Sequence, residues 1–278
     1  MKIDAHQHFW SIARGDYGWL TPELTAIYRD FGPDDLTPHL KAQKIDGTVL
    51  VQAAPTLAET QYMLAIADSH DVVKGVVGWV DFESPDASVV IARLAQHPKL
   101  VALRPMIQDI DDTDWMLRPD LAPAFEAMIA HDLAFDALTL PRHLANLRQL
   151  IERHPKLRVV VDHGSKPEIH RGEFAKWAAG MTIIANETNA SVKLSGLVTE
   201  AGPSWTAQDI QPYAQFLLDH FGPSRVIWGS DWPVCTLASS YARWCDVTDQ
   251  FLVGFDDAER AAVLGLNAVE FYQLERPS

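Results

Sequence analysis

The chain has 278 residues, 47% of them hydrophobic and 22% charged, an ordinary balance for a globular protein with a large core, which excludes disorder, collagen and coiled coil. Its 23 Lys and Arg against 37 Asp and Glu leave a net charge of −14; such a surface repels phosphate backbones and anionic lipid, so no nucleic-acid or membrane partner is expected. Two cysteines, Cys235 and Cys245, point to reduced thiols, and an opening MKIDAHQHFW without a signal peptide, with no apolar run near ~20 residues, points to a cytoplasmic protein.

Short β-branched or apolar runs recur at residues 2–4, 48–52, 72–80, 100–104, 133–138, 158–163, 191–195 and 225–231. Runs such as TVLVQAA, LRVVVDH and RVIWGSD are apolar on both faces, as parallel strands covered by helices must be. Amphipathic stretches at 57–70, 86–97, 121–131, 143–154, 207–221 and 256–272 alternate with them. The segments HPKL, HPKLR and FGPSR share one design, a Pro that stops a helix just before a strand begins. Eight strand–helix units in one chain of this length predict an α/β fold, a single (β/α)8 TIM-like barrel, with residues 1–278 as one domain. The competing doubly wound sheet would carry a Gly-rich turn after its first strand. Here that strand ends in His-Gln-His, and no G-x-G-x-x-G occurs.

In a barrel the active face lies at the strand C-termini. His6 and His8 end the first predicted strand two residues apart and so point to one side of it. Arg104 ends the fourth, Asp136 lies on the fifth, Asp162 and His163 end the sixth, Lys193 and Ser195 lie on the seventh, and Asp231 ends the eighth. Three imidazoles and one carboxylate, His6, His8, His163 and Asp231, suit a divalent ion such as zinc. Alternatively, the histidines are satisfied polar groups and Asp231 a turn residue. Arg104 is placed to clamp an anion or a carbonyl oxygen, or else to pair with an inward acidic group. Asp136 would read substrate hydroxyls or support a basic neighbour. Lys193 shares its strand face with Ser195, which favours both as lumen-lining. Of nine tryptophans, Trp10, Trp79, Trp115, Trp205 and Trp232 fall at strand ends or in loops, where flat faces stack on sugar rings, whereas Trp228 reads as core. No G-x-S-x-G elbow supplies a serine nucleophile.

The segments IDAHQHFW, VVVDHGSKP, VKLSGL and FGPSRVIWGSDWPV together resemble the amidohydrolase superfamily, in particular its amidohydrolase 2, sugar-lactonase branch. The resemblance implies a distorted barrel of the amidohydrolase type and hydrolysis of sugar-acid lactones such as L-fuconolactone or L-rhamnonolactone. It maps the family's strand 1 histidine pair onto His6 and His8, its strand 6 histidine onto His163 and its strand 8 aspartate onto Asp231. Two positions depart: Arg104 stands where two-metal members carry a lysine, and Asp136 where many carry a histidine. The departures point to one divalent ion at most, a dispensable one in some members of the branch.

Asp231 is thus expected to act as general base toward water attacking the lactone carbonyl, with the histidines holding an ion or donating to the carbonyl oxygen. Arg104, Asp136, Lys193 and Trp232 are expected to bind a small sugar lactone. The alternatives are another reaction of the superfamily, such as decarboxylation of a small unsaturated acid, or a catalytically idle binding barrel. Oligomeric state is left open.

Overall fold

The structure, a computed structural model, describes residues 1–274, so 275–278 of the predicted domain lie outside the described residues. Eight parallel strands pair in chain order: β1 (Ile3–Gln7), β2 (Gly47–Val51), β3 (Val73–Gly78), β4 (Leu100–Leu103), β5 (Ala134–Ala137), β6 (Val159–Val161), β7 (Ser191–Leu194) and β8 (Val226–Trp228). Each predicted run overlaps its strand. The sheet curls into a nearly closed, distorted (β/α)8 barrel. Its last seam is stitched beyond β8, where the Asp231 N–H donates to the His6 carbonyl and the His8 N–H to the Trp232 carbonyl, both at 2.7 Å. The residues that close the barrel are therefore the ones expected to carry its chemistry.

Alternation along the strands sorts the apolar side chains into two layers. Leu50, Val76, Leu103, Phe135 and Val192 belong to the outer core with helix residues such as Met63, Ile91, Phe125 and Leu147. Ile3, Val49, Val51, Val77, Ala134, Val160 and Ile227 form an inner layer that Val269 and Tyr272 close from below. Predicted helices over 57–70, 86–97, 121–131, 143–154 and 207–221 appear as Leu57–Ser69, Ala87–Leu94, Ala122–Ala130, Leu144–Arg153 and Ala207–Phe221. No helix among the described residues is long and apolar enough to cross a membrane.

Besides the short helix Leu197–Ala201, three longer helices, Pro33–Gln43, Phe174–Glu187 and Tyr241–Phe251, are absent from the sequence expectation. The first is mostly polar and contains Pro38, and so lacks a strong apolar stripe. The third has a start signal in Ser240, whose side chain accepts from the Arg243 N–H at 3.1 Å. The predicted helix over 256–272 is divided into Asp257–Ala261, a wide turn Ala262–Leu266 and Asn267–Phe271. The cause is a close approach: a Cβ at Gly265 would meet the Met1 carbonyl oxygen at 2.5 Å and the Ile3 nitrogen at 2.9 Å. The chain bends around the start of β1 and delivers Tyr272 to the floor of the barrel.

Candidate active site

Three imidazoles converge on one carboxylate oxygen. Asp231 Oδ1 lies 3.3 Å from His8 Nε2, 3.7 Å from His6 Nε2 and 3.9 Å from His163 Nε2. Outer partners orient two of the rings: His8 Nδ1 donates to the Val51 carbonyl at 2.7 Å, and His163 Nδ1 lies 2.8 Å from Ser195 Oγ. Small residues admit the rings, since a Cβ on Gly229 would meet His6 Cβ at 2.6 Å and one on Gly196 would meet His163 Nδ1 at 2.5 Å. Strict alternation would put Asp4 and His6 on one face of β1. The β1–β2 register shifts between Asp4 and Gln7, however, and the two part company. Asp4 accepts from the Ser230 N–H at 2.8 Å and the Tyr241 hydroxyl at 2.9 Å, whereas His6 turns to Lys193.

Beneath the imidazoles lies a sealed charge network. Lys193 Nζ is 2.5 Å from Asp136 Oδ2, 2.9 Å from Asp162 Oδ1 and 3.1 Å from His6 Nδ1. The Tyr272 hydroxyl supports Asp136 from below at 2.8 Å. Arg104 Nη1 donates to Asp162 Oδ2 at 3.2 Å, its Nη2 donates to the Gln52 carbonyl, and the Gln52 amide donates back to the Arg104 carbonyl at 2.7 Å. Alternation correctly turns Lys193 inward and Leu194 outward toward the helices.

The site opens into a cavity of about 250 Å³ lined by His8, His163, Asp231, Arg104, Trp19 and Lys166, among others. That is below the ~300–1,000 Å³ of drug-sized sites and suits a small molecule. Asp136 and Lys193, expected at the substrate, do not line it: both are fully buried one layer below His6, where two carboxylates and an ammonium satisfy one another. Trp232 does not line it either, being 2% exposed and packed edge-on to Phe9 and Phe31. Trp10, Trp115 and Trp205 are likewise at most 5% exposed, because these large apolar rings bury more area in the core than a cavity wall allows. Trp79 borders a neighbouring hollow that shares Trp19 with the cavity. The aromatic at the site is Trp19, whose indole N–H is anchored on the Ala53 carbonyl at 2.7 Å. Sequence reading passed over Trp19, Gln52, Lys166 and any role for Asp162. Gln52 ends its strand as Arg104 does, and Lys166 stands in the quoted HGSKP run.

Burial sets the protonation states. It lowers His163 to about 4 and His6 further, with the Lys193 ammonium adding to the effect on His6, so both are neutral at pH 7. Burial would raise Asp231, but His163, the His8 hydrogen bond and His6 outweigh it and hold the carboxyl below the usual range. Asp231 is therefore a carboxylate at neutral pH. Burial would also raise Asp162, yet Lys193, His6 and Arg104 keep it well below its ordinary value. Asp136 is pushed up to about 6 by burial, against the pull of Lys193.

A histidine at about 4 in the fold and ~6.5 in the unfolded chain gives stability a definite pH dependence. Above pH ~6.5 neither state binds the proton. As pH falls from there toward 4 the unfolded chain gains it first, so stability declines across that window by about 3 kcal/mol for His163 alone. Urea midpoints measured from pH 7 to 4 should fall, and His163→Asn, which tolerates the left-handed backbone found here (φ 52°), should flatten that slope.

The donor atoms of His6, His163 and Asp231 lie within 4.8 Å of one another. With His8 Nε2 beside them, 3.3 Å from Asp231 Oδ1, these residues fit a single borderline divalent ion. Lys193 Nζ, 3.1 Å from His6 Nδ1, sets a cation on the far side of that ring.

A buried imidazole–carboxylate cluster at the C-terminal mouth of a (β/α)8 barrel defines a class of barrel hydrolase. A family model described as Amidohydrolase matches residues 3–274, and the chain belongs to that family. Over its full length it is 48% identical to an L-fucono-1,5-lactonase of Burkholderia ambifaria, covering 97% of that protein. It is 34% identical to a second L-fucono-1,5-lactonase, from Burkholderia multivorans, covering 100% of this chain and 98% of that one. The crystal structure of an amidohydrolase from Burkholderia multivorans with bound zinc superposes with a TM-score of 0.91 at 34% identity, covering 99% of this chain and 100% of that one.

Proposed function

We propose that this amidohydrolase-family chain, one barrel domain over residues 1–278 and cytoplasmic, hydrolyses a sugar-acid lactone to the open-chain sugar acid, with L-fucono-1,5-lactone as its first candidate substrate and L-rhamnonolactone as the second. The observation that carries the reading is Asp231 set among three imidazoles at the wall of a small cavity, in a chain similar end to end to two lactonases. The free thiols of Cys235 and Cys245 agree with a reducing compartment. The same likeness, with the Asp231–imidazole set complete, favours hydrolysis over decarboxylation or an idle barrel.

The three imidazoles approach Asp231 through Oδ1, at 3.3, 3.7 and 3.9 Å. Asp231 takes a proton from the attacking water and returns one to the departing ring oxygen. Ring opening yields a hydroxyl and a carboxylate and releases one proton to solvent. Arg104, locked by Asp162 and the Gln52 carbonyl, orients the carbonyl and holds the product carboxylate. His6, His8, His163 and Asp231 would hold a divalent ion such as zinc, which when bound supplies Lewis acidity toward water and the carbonyl.

A pH-indicator screen over a panel of aldonolactones, with chelator and with added zinc, tests the reading. L-Fucono-1,5-lactone should rank among the best substrates and release one proton per ring opened. Absence of proton release from every aldonolactone in both arms sinks the assignment.

A further inference from the structure

Resting on the lactonase reading, we propose that Lys166 and Glu200 form a hydroxyl-reading pair: the Lys166 ammonium donates to a ring-hydroxyl oxygen of the lactone, and the Glu200 carboxylate accepts a hydrogen bond from that hydroxyl. The pair would make the enzyme selective for polyhydroxylated lactones over bare ones.

The backbone first draws attention to Lys166. His163, Gly164, Ser165 and Lys166 run consecutively through the left-handed region, with φ of 52°, 56°, 61° and 49°. Three of the four are not glycine, and such a run persists only where its surroundings over-determine it. They do so here. The Trp177 indole donates to the Gly164 carbonyl at 2.6 Å, Ser165 Oγ lies 3.0 Å from Thr139 Oγ1, and the Lys166 N–H donates to the His163 carbonyl at 2.9 Å.

The run throws the Lys166 side chain across the cavity wall. Its Nζ donates to Gln108 Oε1 at 3.0 Å and pairs with Glu200 Oε1 at 3.2 Å. One ammonium thus ties together the segments that follow β4, β6 and β7. Gln108, Lys166 and Glu200 line the same cavity as His8, His163 and Asp231.

An ammonium has three N–H donors, and among the described residues two are engaged. With the Lys166 side chain 26% exposed and that of Glu200 20%, both groups keep a polar edge toward the cavity. An ion pair this open adds little stability of its own. A donor and an acceptor side by side match the one group that a neutral sugar lactone offers repeatedly, a hydroxyl that accepts and donates at once. Arg104 and the imidazoles serve the reacting carbonyl and the attacking water, which leaves this pair to read the ring hydroxyls.

The test compares L-fucono-1,5-lactone with δ-valerolactone, a six-membered lactone without hydroxyls. Lys166→Met should raise KM for the sugar lactone by about 10- to 100-fold, as expected for one lost charged hydrogen bond. Its kcat should change by less than about threefold, and so should kcat/KM for δ-valerolactone. Glu200→Gln should move the same parameter in the same direction, and Lys166→Arg should restore part of the loss. Circular dichroism establishes that each variant is folded. Equal losses on both lactones, or no rise in KM for the sugar lactone in either variant, overturn the pair while leaving the lactonase reading standing. A wild-type enzyme that opens no lactone overturns both.

Discussion

Asp231→Asn should lower lactone turnover by about 10²–10⁴-fold, the usual cost of removing a positioned general base. The carboxylate is ionised at neutral pH, among imidazoles that approach its Oδ1. Asparagine keeps the shape and cannot take a proton. It also suits the backbone, because residue 231 has φ of 58° and asparagine tolerates the left-handed region well. The seam bond from the residue 231 N–H to the His6 carbonyl belongs to the main chain and survives the change. Folding should therefore be nearly unaffected while kcat collapses. Steady-state kinetics alongside thermal unfolding separates the two, and a variant that retains near-wild-type kcat removes Asp231 from the role of base.

Lys193→Met should cost about 3–5 kcal/mol of unfolding free energy, the range measured when one partner of a buried ion pair is removed. Methionine fills nearly the same volume, so little of that loss comes from a cavity. It comes from Asp136 and Asp162, fully buried carboxylates that would lose their shared ammonium at 2.5 and 2.9 Å. Asp162 would retain Arg104, whereas Asp136 would be left with the Tyr272 hydroxyl. Lys193→Met combined with Asp136→Asn should thus recover part of the loss, because the more isolated charge is removed. Urea denaturation of the two variants measures this directly. A loss below about 1 kcal/mol in the single variant would mean that these carboxylates do not depend on the ammonium.

The strand order and the identity of the converging residues were legible in the sequence for one reason. Parallel strands under helices leave unbroken apolar runs, and a His, Arg or Asp at the end of such a run stands out. His6, His8, Arg104, His163 and Asp231 were found in this way, and the structure brings all five to one cluster. Asp136 and Lys193 were found by the same rule and placed one layer too high. Alternation shows that a side chain points inward; its depth along the barrel axis follows from the stagger of the strands, which no single strand reports. Trp232 was misplaced for a related reason, since a strand-end aromatic can face the cavity or the loop cluster, and Phe9 and Phe31 decide which. Trp19 and Lys166 reach the site from loops, where no periodicity marks them.

The −14 charge and the alternating apolar runs by themselves determined an acidic surface around one α/β barrel with its chemistry at the strand ends. These are properties of local pattern, set by what each residue can bury. The tertiary structure alone decided how those residues divide the work. Closure of β8 on β1 draws Asp231 to three imidazoles, the bend at Gly265 brings Tyr272 under Asp136, and the resulting stagger makes Lys193 a buried counter-ion. Each of these contacts joins residues far apart in the chain, and only packing in three dimensions sets their distance and their dielectric surroundings.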